Sequence, residues 1–337
     1  MQSADGRYLL SGASGMLGLA IRRAMGARQL QTLQLVRPAR DQHGKHKDAP
    51  LPAGPRPTAS RVFRTVAISI TGEVLWDPAA SPPIAHPEIL EGVPVAIHLG
   101  GVNVASHRWT PEFKREIVTS RVDSTRALAQ TLAGLRNPPK TLLVASGTGI
   151  YGNRGDELLD ESSSPGSGFL GDLCRQWEEA AEPAVRAGIR VVHLRTGVVL
   201  GSPHYPTSVL ARLKKVFRWG AGGQLGTGTQ WMSWIGLDDF VSAIFFLFDH
   251  PEISGPVNLT APNPVTNAQF TRALARQLHR PAFFSVPASM LRSHFGEFAD
   301  EALLSSARAF PSKLTSAGFQ FSAPTIDLAL ASAFAKR

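Results

Sequence analysis

Short apolar segments recur along the first 260 residues, and stretches with helical periodicity lie between them. Several of these segments are continuously apolar, which is typical of parallel strands covered on both faces. The alternation of strands and helices predicts an α/β fold built on a doubly wound parallel sheet. The predicted strands are RYLLS (7–11), TLQLV (32–36), PVAIHLG (94–100), KTLLVAS (140–146), IRVVHLR (189–195) and PVNLT (256–260).

The clearest predicted helix covers residues 111–134, with Thr110 as its N-cap and Pro111 at its first position. Residues 38–60 are rich in Pro, Gly, His and basic side chains, and this composition predicts a long surface loop. The alternation stops at Pro281. We therefore expect a main domain over residues 1–280 and a small, mostly helical C-terminal domain over residues 281–337.

The composition is that of an ordinary globular protein, with 43% hydrophobic and 18% charged residues. The first residues, MQSADGRYLL, lack the pattern of a secretory signal, and the longest apolar run (240–248) is too short to span a bilayer. Cys174 is the only cysteine, which excludes an internal disulfide and a thiolate-rich zinc site. We expect a cytoplasmic monomer or homodimer with no metal and no membrane partner.

The net charge of +9 raises the question of nucleic acid. Basic residues concentrate in 37–64, and a smaller cluster occupies 212–218. Neither cluster is interleaved in sequence with aromatic residues, as a stacking platform for bases would be. A solvated basic loop is the favoured interpretation, and a nucleic-acid partner is not expected.

A glycine-rich loop follows the first predicted strand. In YLLSGASGMLGLAIRRAMG, Gly12, Gly15 and Gly18 are spaced three residues apart, between a strand and a helix. Glycine permits a sharp turn and close approach of the backbone to a pyrophosphate, and the helix N-terminus offers free N–H groups. The context predicts a dinucleotide site, although a purely structural turn is the alternative.

The end of the second strand favours NADP(H) over NAD(H). An NAD site usually carries Asp or Glu there, whereas this strand ends Val36-Arg37 and residues 32–40 contain no acid. The Arg37 guanidinium is suited to a 2′-phosphate. A chance basic residue in a basic chain is the alternative.

Further motifs make the chain resemble the extended short-chain dehydrogenases/reductases. It is most similar to an epimerase-like branch of them that ends in a small domain of unknown function. The resemblance runs nearly end to end through SGASGMLG (11–18), HLGGVNV (98–104), RWTPEFKREIVTSRVDSTRAL (108–128), SGTGIYG (146–152), LCRQWEEAA (173–181), LRTGVVLG (194–201), GGQLGTGTQWMSWIGLDD (222–239) and FPSKLTSAGFQF (310–321).

The resemblance implies a Rossmann fold and a set of cofactor contacts. These are Gly12, Ala13, Ser14, Gly15, Met16 and Leu17 at the pyrophosphate, Val36 and Arg37 at the 2′-phosphate, Leu99 and Gly100 at the adenosine, Glu116 and Arg121 on the following helix, and Val198 near the nicotinamide. The chain departs from the branch in two motifs. Gly100-Gly101-Val102-Asn103 replaces Ala-Gly-Glu-Asn, and Gly236 replaces a histidine.

The acid–base pair of short-chain dehydrogenases is absent. Their tyrosine is followed four residues later by a lysine, but the residues at that distance after Tyr8, Tyr151 and Tyr205 are Gly12, Gly155 and Val209. Phe169, Leu170 or Gly171 takes the place of the tyrosine, depending on register.

The remaining site candidates each have a structural alternative. Ser146 and Tyr151 are the candidate catalytic residues, with a turn serine and a packing tyrosine as alternatives. Arg195 and Trp231 are candidates for substrate contact, and a salt bridge and core packing are their alternatives. For Trp234 core packing is favoured, and for Asp238 and Asp239 helix capping is favoured.

These observations leave three functions open. The first is an NADP(H)-dependent epimerase or oxidoreductase that acts on a small polar or nucleotide-linked substrate. The second is a non-catalytic NADPH-binding sensor or scaffold protein, which the missing Tyr-Lys pair favours. The third is a basic nucleic-acid-binding regulator.

Overall fold

The structure is a computed structural model, and it describes residues 6–38 and 71–335. Its strands are β1 (Arg7–Ser11), β2 (Gln31–Val36), β3 (Thr71–Leu75), β4 (Val95–His98), β5 (Thr141–Gly147), β6 (Leu158–Leu159), β7 (Arg190–Thr196), β8 (Val198–Leu200), β9 (Gly223–Leu225), β10 (Trp231–Met232), β11 (Trp234–Gly236), β12 (Gly255–Leu259), β13 (Val265–Thr266), β14 (Phe284–Val286) and β15 (Arg308–Ala309).

The helices lie between these strands and at the C-terminal end. They are α1 (Met16–Ala27), α2 (Pro111–Val118), α3 (Ser124–Ala133), α4 (Phe169–Glu179), α5 (Glu182–Arg186), α6 (Val209–Arg218), α7 (Leu237–Asp249), α8 (Asn267–Leu278), α9 (Ala288–Phe295), α10 (Ser312–Ser316) and α11 (Ile326–Phe334).

Seven parallel strands form the central sheet in the order β12-β7-β5-β4-β1-β2-β3. The strand order reverses direction between β1 and β4, which is the point where doubly wound sheets bind ligands. The predicted fold class and all six predicted strands are confirmed. The edge strand β3 was not predicted.

The core divides between the two faces of the sheet because successive strand residues point to opposite sides. Leu9 and Leu142 pack on the face covered by α2 to α5, and their neighbours Leu10 and Leu143 pack on the face covered by α1 and α7. All four side chains are at most 1% exposed. The continuously apolar strands are therefore apolar because both of their faces are buried.

The predicted helix over 111–134 is interrupted. Thr110 caps α2 as expected, because its side chain accepts a hydrogen bond from Phe113 N at 3.2 Å. Residues Thr119–Asp123 then form a π-helical turn before α3 begins. Such a turn rotates the side chains beyond it relative to α2, and π-turns occur often at functional sites.

The C-terminal segment is mostly helical, as expected, and pairs with the main domain. Its strand β14 lies parallel to β9, and β15 lies parallel to β6. Asp239 on α7 accepts hydrogen bonds from Ser322 N at 2.8 Å and Ala323 N at 3.0 Å. The boundary at residue 281 stays a prediction. The predicted basic loop lies, apart from Pro38, outside the described residues.

Candidate functional site

The glycine loop lies where the C-terminal ends of β1 and β4 meet. Gly12 has φ +75°, and a Cβ built on it would lie 2.9 Å from the carbonyl carbon of Leu99. Gly18 also has no room for a side chain, because a Cβ built on it would collide with Gly12 O. Gly15 differs, because the nearest protein atom to its Cβ would be 3.6 Å away. Gly12 and Gly18 are therefore required by the fold, whereas Gly15 leaves open space.

Gly15 lies at the N-terminus of α1, and the space beside its Cα is open. Gly15 is the N-cap of this helix, no side chain caps it, and its first turn contains no acidic residue. Ser14 and Gly15 are exposed, Met16 and Leu17 are half-buried, and Ala13 is buried. The free N–H groups and the positive end of the helix dipole can therefore accept an anion.

Arg37 lies next to this loop, at the C-terminal end of β2. It is exposed, and no carboxylate of the described residues pairs with it, while Val36 beside it is half-buried. Burial, and then the charge of Arg37, lower the pKa of His98 to about 4. A 2′-phosphate at this edge of the sheet would therefore meet an available cation.

His98 connects the strand ends at the switch point. It is fully buried at the end of β4, where Nδ1 bonds Ser11 Oγ at 2.6 Å and Nε2 bonds Ser124 Oγ at 3.1 Å. Its lowered pKa keeps the ring neutral, so that one ring nitrogen donates and the other accepts. The half-buried residues Leu99 and Gly100 follow directly.

Arg121 approaches the same edge from the π-turn. Its Nη2 donates to Val102 O at 2.8 Å, its guanidinium lies 5.1 Å from the Trp177 ring, and it fills the space beside Gly101. Burial lowers its pKa to about 10, so that it stays cationic at neutral pH. Glu116 is exposed on α2, and the structure does not bring it into contact with Arg121.

Ser146 and Arg195 lie in a buried network instead of lining an open cleft. Arg195 forms two hydrogen bonds to Glu178, each at 2.9 Å, and Ser146 Oγ donates to the same carboxylate at 2.8 Å. Both Ser146 and Arg195 are 6% exposed. The interaction with Glu178 outweighs burial, so that the pKa of Arg195 is raised.

Tyr151 belongs to the same buried network. Its side chain is fully buried, and its hydroxyl lies 2.7 Å from Asn258 Oδ1 and 3.2 Å from Nη1 of Arg195. Burial raises the pKa of Tyr151, and the charge of Arg195 opposes that shift. In this structure the polar atoms of Ser146, Tyr151 and Arg195 are bonded to other protein groups. Their roles in catalysis and substrate contact stay predictions.

Where the catalytic tyrosine and lysine would stand, the first turns of α4 carry no acid–base pair. Leu170 N donates to Oε2 of Glu301 at 3.0 Å, so that a carboxylate from the C-terminal segment caps this helix. Cys174 is buried, and burial raises its pKa to about 11, which keeps it a thiol. Sequence reasoning missed Glu301, because nothing local to it indicates a partner 131 residues away.

The remaining residues considered in the sequence differ in exposure. Trp231 Nε1 donates to Asp156 at 2.7 Å, and the Arg308 guanidinium lies 4.4 Å from the Trp231 ring. Val198 is 37% exposed, whereas Trp234 is fully buried, as favoured. Asp239 binds the C-terminal segment and Gly236 is the N-cap of α7, so the prediction that Asp239 caps its helix is wrong.

Residues 6–38 and 71–335 contain no group of three potential metal-ligating side chains. Within the same ranges, no helix is both long and apolar enough to cross a membrane.

The fold and the open glycine loop define a Rossmann-type nucleotide-binding protein. A sequence profile described as "NAD dependent epimerase/dehydratase family" matches residues 8–259, and one of a domain of unknown function (DUF1731) matches residues 286–333. The chain belongs to the NAD-dependent epimerase/dehydratase family.

Similar proteins support this assignment over the whole chain. Epimerase family protein Mb2239 of Mycobacterium bovis is 41% identical over 321 residues, which are 95% of each chain. The structure is similar to that of human epimerase family protein SDR39U1 with NADPH, with a TM-score of 0.78 and 26% identity over 97% of this chain and 98% of that one. It is also similar to a nucleoside-diphosphate sugar epimerase from Corynebacterium glutamicum, with a TM-score of 0.70 and 32% identity over 97% of this chain and 58% of that one.

Proposed function

We propose that this protein binds NADP(H) and acts as an oxidoreductase or epimerase on a small polar or nucleotide-linked substrate, in the cytoplasm. The observation that carries the proposal is the pair formed by the open Gly15 turn and the unpaired cation Arg37 at neighbouring strand ends. The NADPH in the human relative's structure supports the cofactor, and the Corynebacterium epimerase supports the substrate class.

The residues present fit the dinucleotide. The free N–H groups of Met16 and Leu17 in the first turn of α1 would hold the pyrophosphate, and Arg37 would hold the 2′-phosphate. Arg121 is a second cation near the strand ends that has no carboxylate partner among the described residues. The bound nicotinamide would supply a hydride acceptor or donor, and the protein would orient it and exclude water from it.

A charge-assisted hydrogen bond is worth roughly 1.5–3 kcal/mol, which corresponds to about ten- to a hundredfold in affinity. Because β2 ends without a carboxylate, nothing there favours a free ribose 2′-hydroxyl. We therefore expect a preference for NADPH over NADH of that size. Arg37→Ala should remove most of it.

The test is calorimetric titration of wild type and Arg37→Ala with both cofactors. Arg126→Ala is the matched control, since Arg126 is an exposed arginine on α3 that also has no partner among the described residues. Equal binding of NADH and NADPH by wild type would contradict the proposal. So would an unchanged preference in Arg37→Ala.

A second candidate function is a non-catalytic NADPH sensor or scaffold. The observation that favours it is the buried network, which uses the hydroxyls of both Ser146 and Tyr151 where a proton donor was expected. NADPH oxidation measured with a panel of carbonyl compounds and nucleotide sugars separates the candidates. Turnover supports the enzyme, and tight NADPH binding without turnover of any panel member supports the sensor.

A further inference from the structure

Four large apolar side chains near the strand pair β9–β14 are unusually exposed. Trp219 is 88% exposed, Phe283 90%, Phe284 65% and Met290 61%. We call these four residues the aromatic patch. No part of the proposed cofactor site involves them.

The strand pairing brings Phe284 to the chain segment that follows α6. Phe284 lies opposite Gly223 in the parallel register, and its Cβ is 3.3 Å from where a Cβ of Gly223 would stand. Trp219 ends α6 four residues before Gly223, and Gly220 with φ +73° turns the chain back toward β9. Met290 lies in the first turn of α9, just beyond β14.

The aromatic patch exposes a substantial apolar area. Aromatic side chains bury 150–250 Å² each, so its three aromatic residues alone expose on the order of 500 Å². The largest apolar patch on a monomeric protein is of this size and is often functional. The aromatic patch therefore has the dimensions of a docking surface.

The chain segments that carry the patch contain basic side chains and no acidic ones. Residues 209–223 and 279–296 contain no Asp or Glu. Of their cations, Arg292 pairs with Asp300 at 2.9 Å. The exposed cations that have no carboxylate partner among the described residues are Arg212, Lys215, Arg218 and Arg280. The occupant must therefore be apolar where it meets the rings and anionic around them.

This charge pattern argues against a second copy of the chain as the occupant. A two-fold contact would place the same cations opposite one another, and like charges across an interface are unfavourable. Met290 and the 44% exposed Val216 on α6 are aliphatic and offer no stacking face to a base. Protruding Trp and Phe side chains within a ring of Lys and Arg are typical of contact with a lipid headgroup region.

We propose that the aromatic patch docks the protein on the surface of an anionic lipid bilayer. The rings enter the headgroup region, and the unpaired cations contact the negative headgroups. The expectation of no membrane partner rests on the absence of a spanning segment and does not bear on docking at the bilayer surface. The patch shares no residue with the proposed cofactor site.

The test uses the full chain and vesicles of phosphatidylcholine, alone or with about one-third phosphatidylglycerol. Each cation near an anionic surface strengthens binding about fivefold. At low salt, we therefore expect the affinity for the anionic vesicles, measured by co-sedimentation, to be at least tenfold higher than that for the neutral vesicles. At high salt, binding to the anionic vesicles should be lost. Tryptophan fluorescence should shift to the blue with anionic vesicles, and Trp219→Phe should lose most of that shift.

Two variants separate the contributions of rings and charges. Phe283→Ser/Phe284→Ser and Lys215→Glu/Arg218→Glu should each weaken binding at least tenfold. Leu328→Ser and Arg126→Glu are the controls, because they change an exposed apolar side chain and an exposed cation outside the patch, and they should bind as wild type does.

Several results would overturn the proposal. One is absence of binding to anionic vesicles, and another is equal binding to neutral ones. A third is tighter binding to a single-stranded oligonucleotide that displaces the vesicles. A fourth is a dimer in gel filtration that the phenylalanine variant abolishes.

Discussion

The buried ion pair between Glu178 and Arg195 provides the most direct test of how the predicted catalytic region is used. The Arg195 side chain is 7% exposed and that of Glu178 is 13% exposed, and two hydrogen bonds of 2.9 Å join them. Glu178→Ala would leave the guanidinium buried without a counter-charge and Ser146 Oγ without its acceptor. Removing one partner of a buried pair costs about 3–5 kcal/mol.

The measurement is the free energy of unfolding from urea titrations. Glu178→Ala should lower it by about 4 kcal/mol, while the folded protein should bind NADPH with unchanged affinity, because the network lies apart from Arg37 and the glycine loop. Glu178→Leu/Arg195→Met should recover much of the loss, since replacing both charges by apolar groups avoids the uncompensated charge.

Arg175→Ala is the control on the same helix. Arg175 forms an exposed pair with Asp172 at 3.0 Å, and such pairs contribute little because solvent screens them. Unfolding of Glu178→Ala at the same urea concentration as Arg175→Ala would contradict a stabilising role of the buried pair. Loss of NADPH binding by a stable Glu178→Ala would instead make the network part of the binding site.

Two further predictions concern the glycine loop and His98. Gly15→Ala should cost only the roughly 1 kcal/mol by which Ala is the poorer N-cap, and should weaken NADPH binding at least tenfold because its Cβ would meet the proposed pyrophosphate. Gly12→Ala should destabilise the fold more strongly, through Leu99 and its positive φ. Urea titration with calorimetry checks both, and full NADPH affinity in Gly15→Ala would contradict the proposed pyrophosphate position. His98 has a pKa of about 4 in the folded protein and about 6.5 in the unfolded chain. Between these pH values the unfolded chain binds more protons. The free energy of unfolding should therefore fall as the pH drops from 6.5 to 4. In wild type this fall in the free energy of unfolding should be on the order of 3 kcal/mol, and it should be smaller in His98→Gln. The same pH dependence in both proteins would refute the lowered pKa of His98.

Much of the central fold can be predicted from the sequence, because its elements depend on local composition. Strands such as β1 and β5 are continuously apolar since both of their faces are buried, and that property is visible in the residues themselves. The edge strand β3, TGEVL, escapes prediction because it has only two apolar residues. The π-turn at Thr119–Asp123 also escapes, since no Gly or Pro marks it.

The candidate cofactor site is predictable for a similar reason. The expected roles of its residues follow from the local backbone. Gly12 lies at a turn, Gly15 at the start of a helix, and Arg37 at the end of a strand. The structure places them at neighbouring strand ends, as the strand order requires. The preference for NADP(H) stays a prediction.

What the sequence by itself determined was the set of elements and the loop that follows β1, because these depend on neighbouring residues. Only the tertiary structure decided which hydrogen bonds the candidate site residues form. Ser146, Tyr151 and Arg195 follow short-chain dehydrogenase motifs, yet Glu178 and Asn258 occupy their polar atoms. The Glu301 cap on α4 and the aromatic patch likewise join residues far apart in the chain. Hydrogen bonding and exposure depend on which elements pack together, and local sequence does not encode that packing.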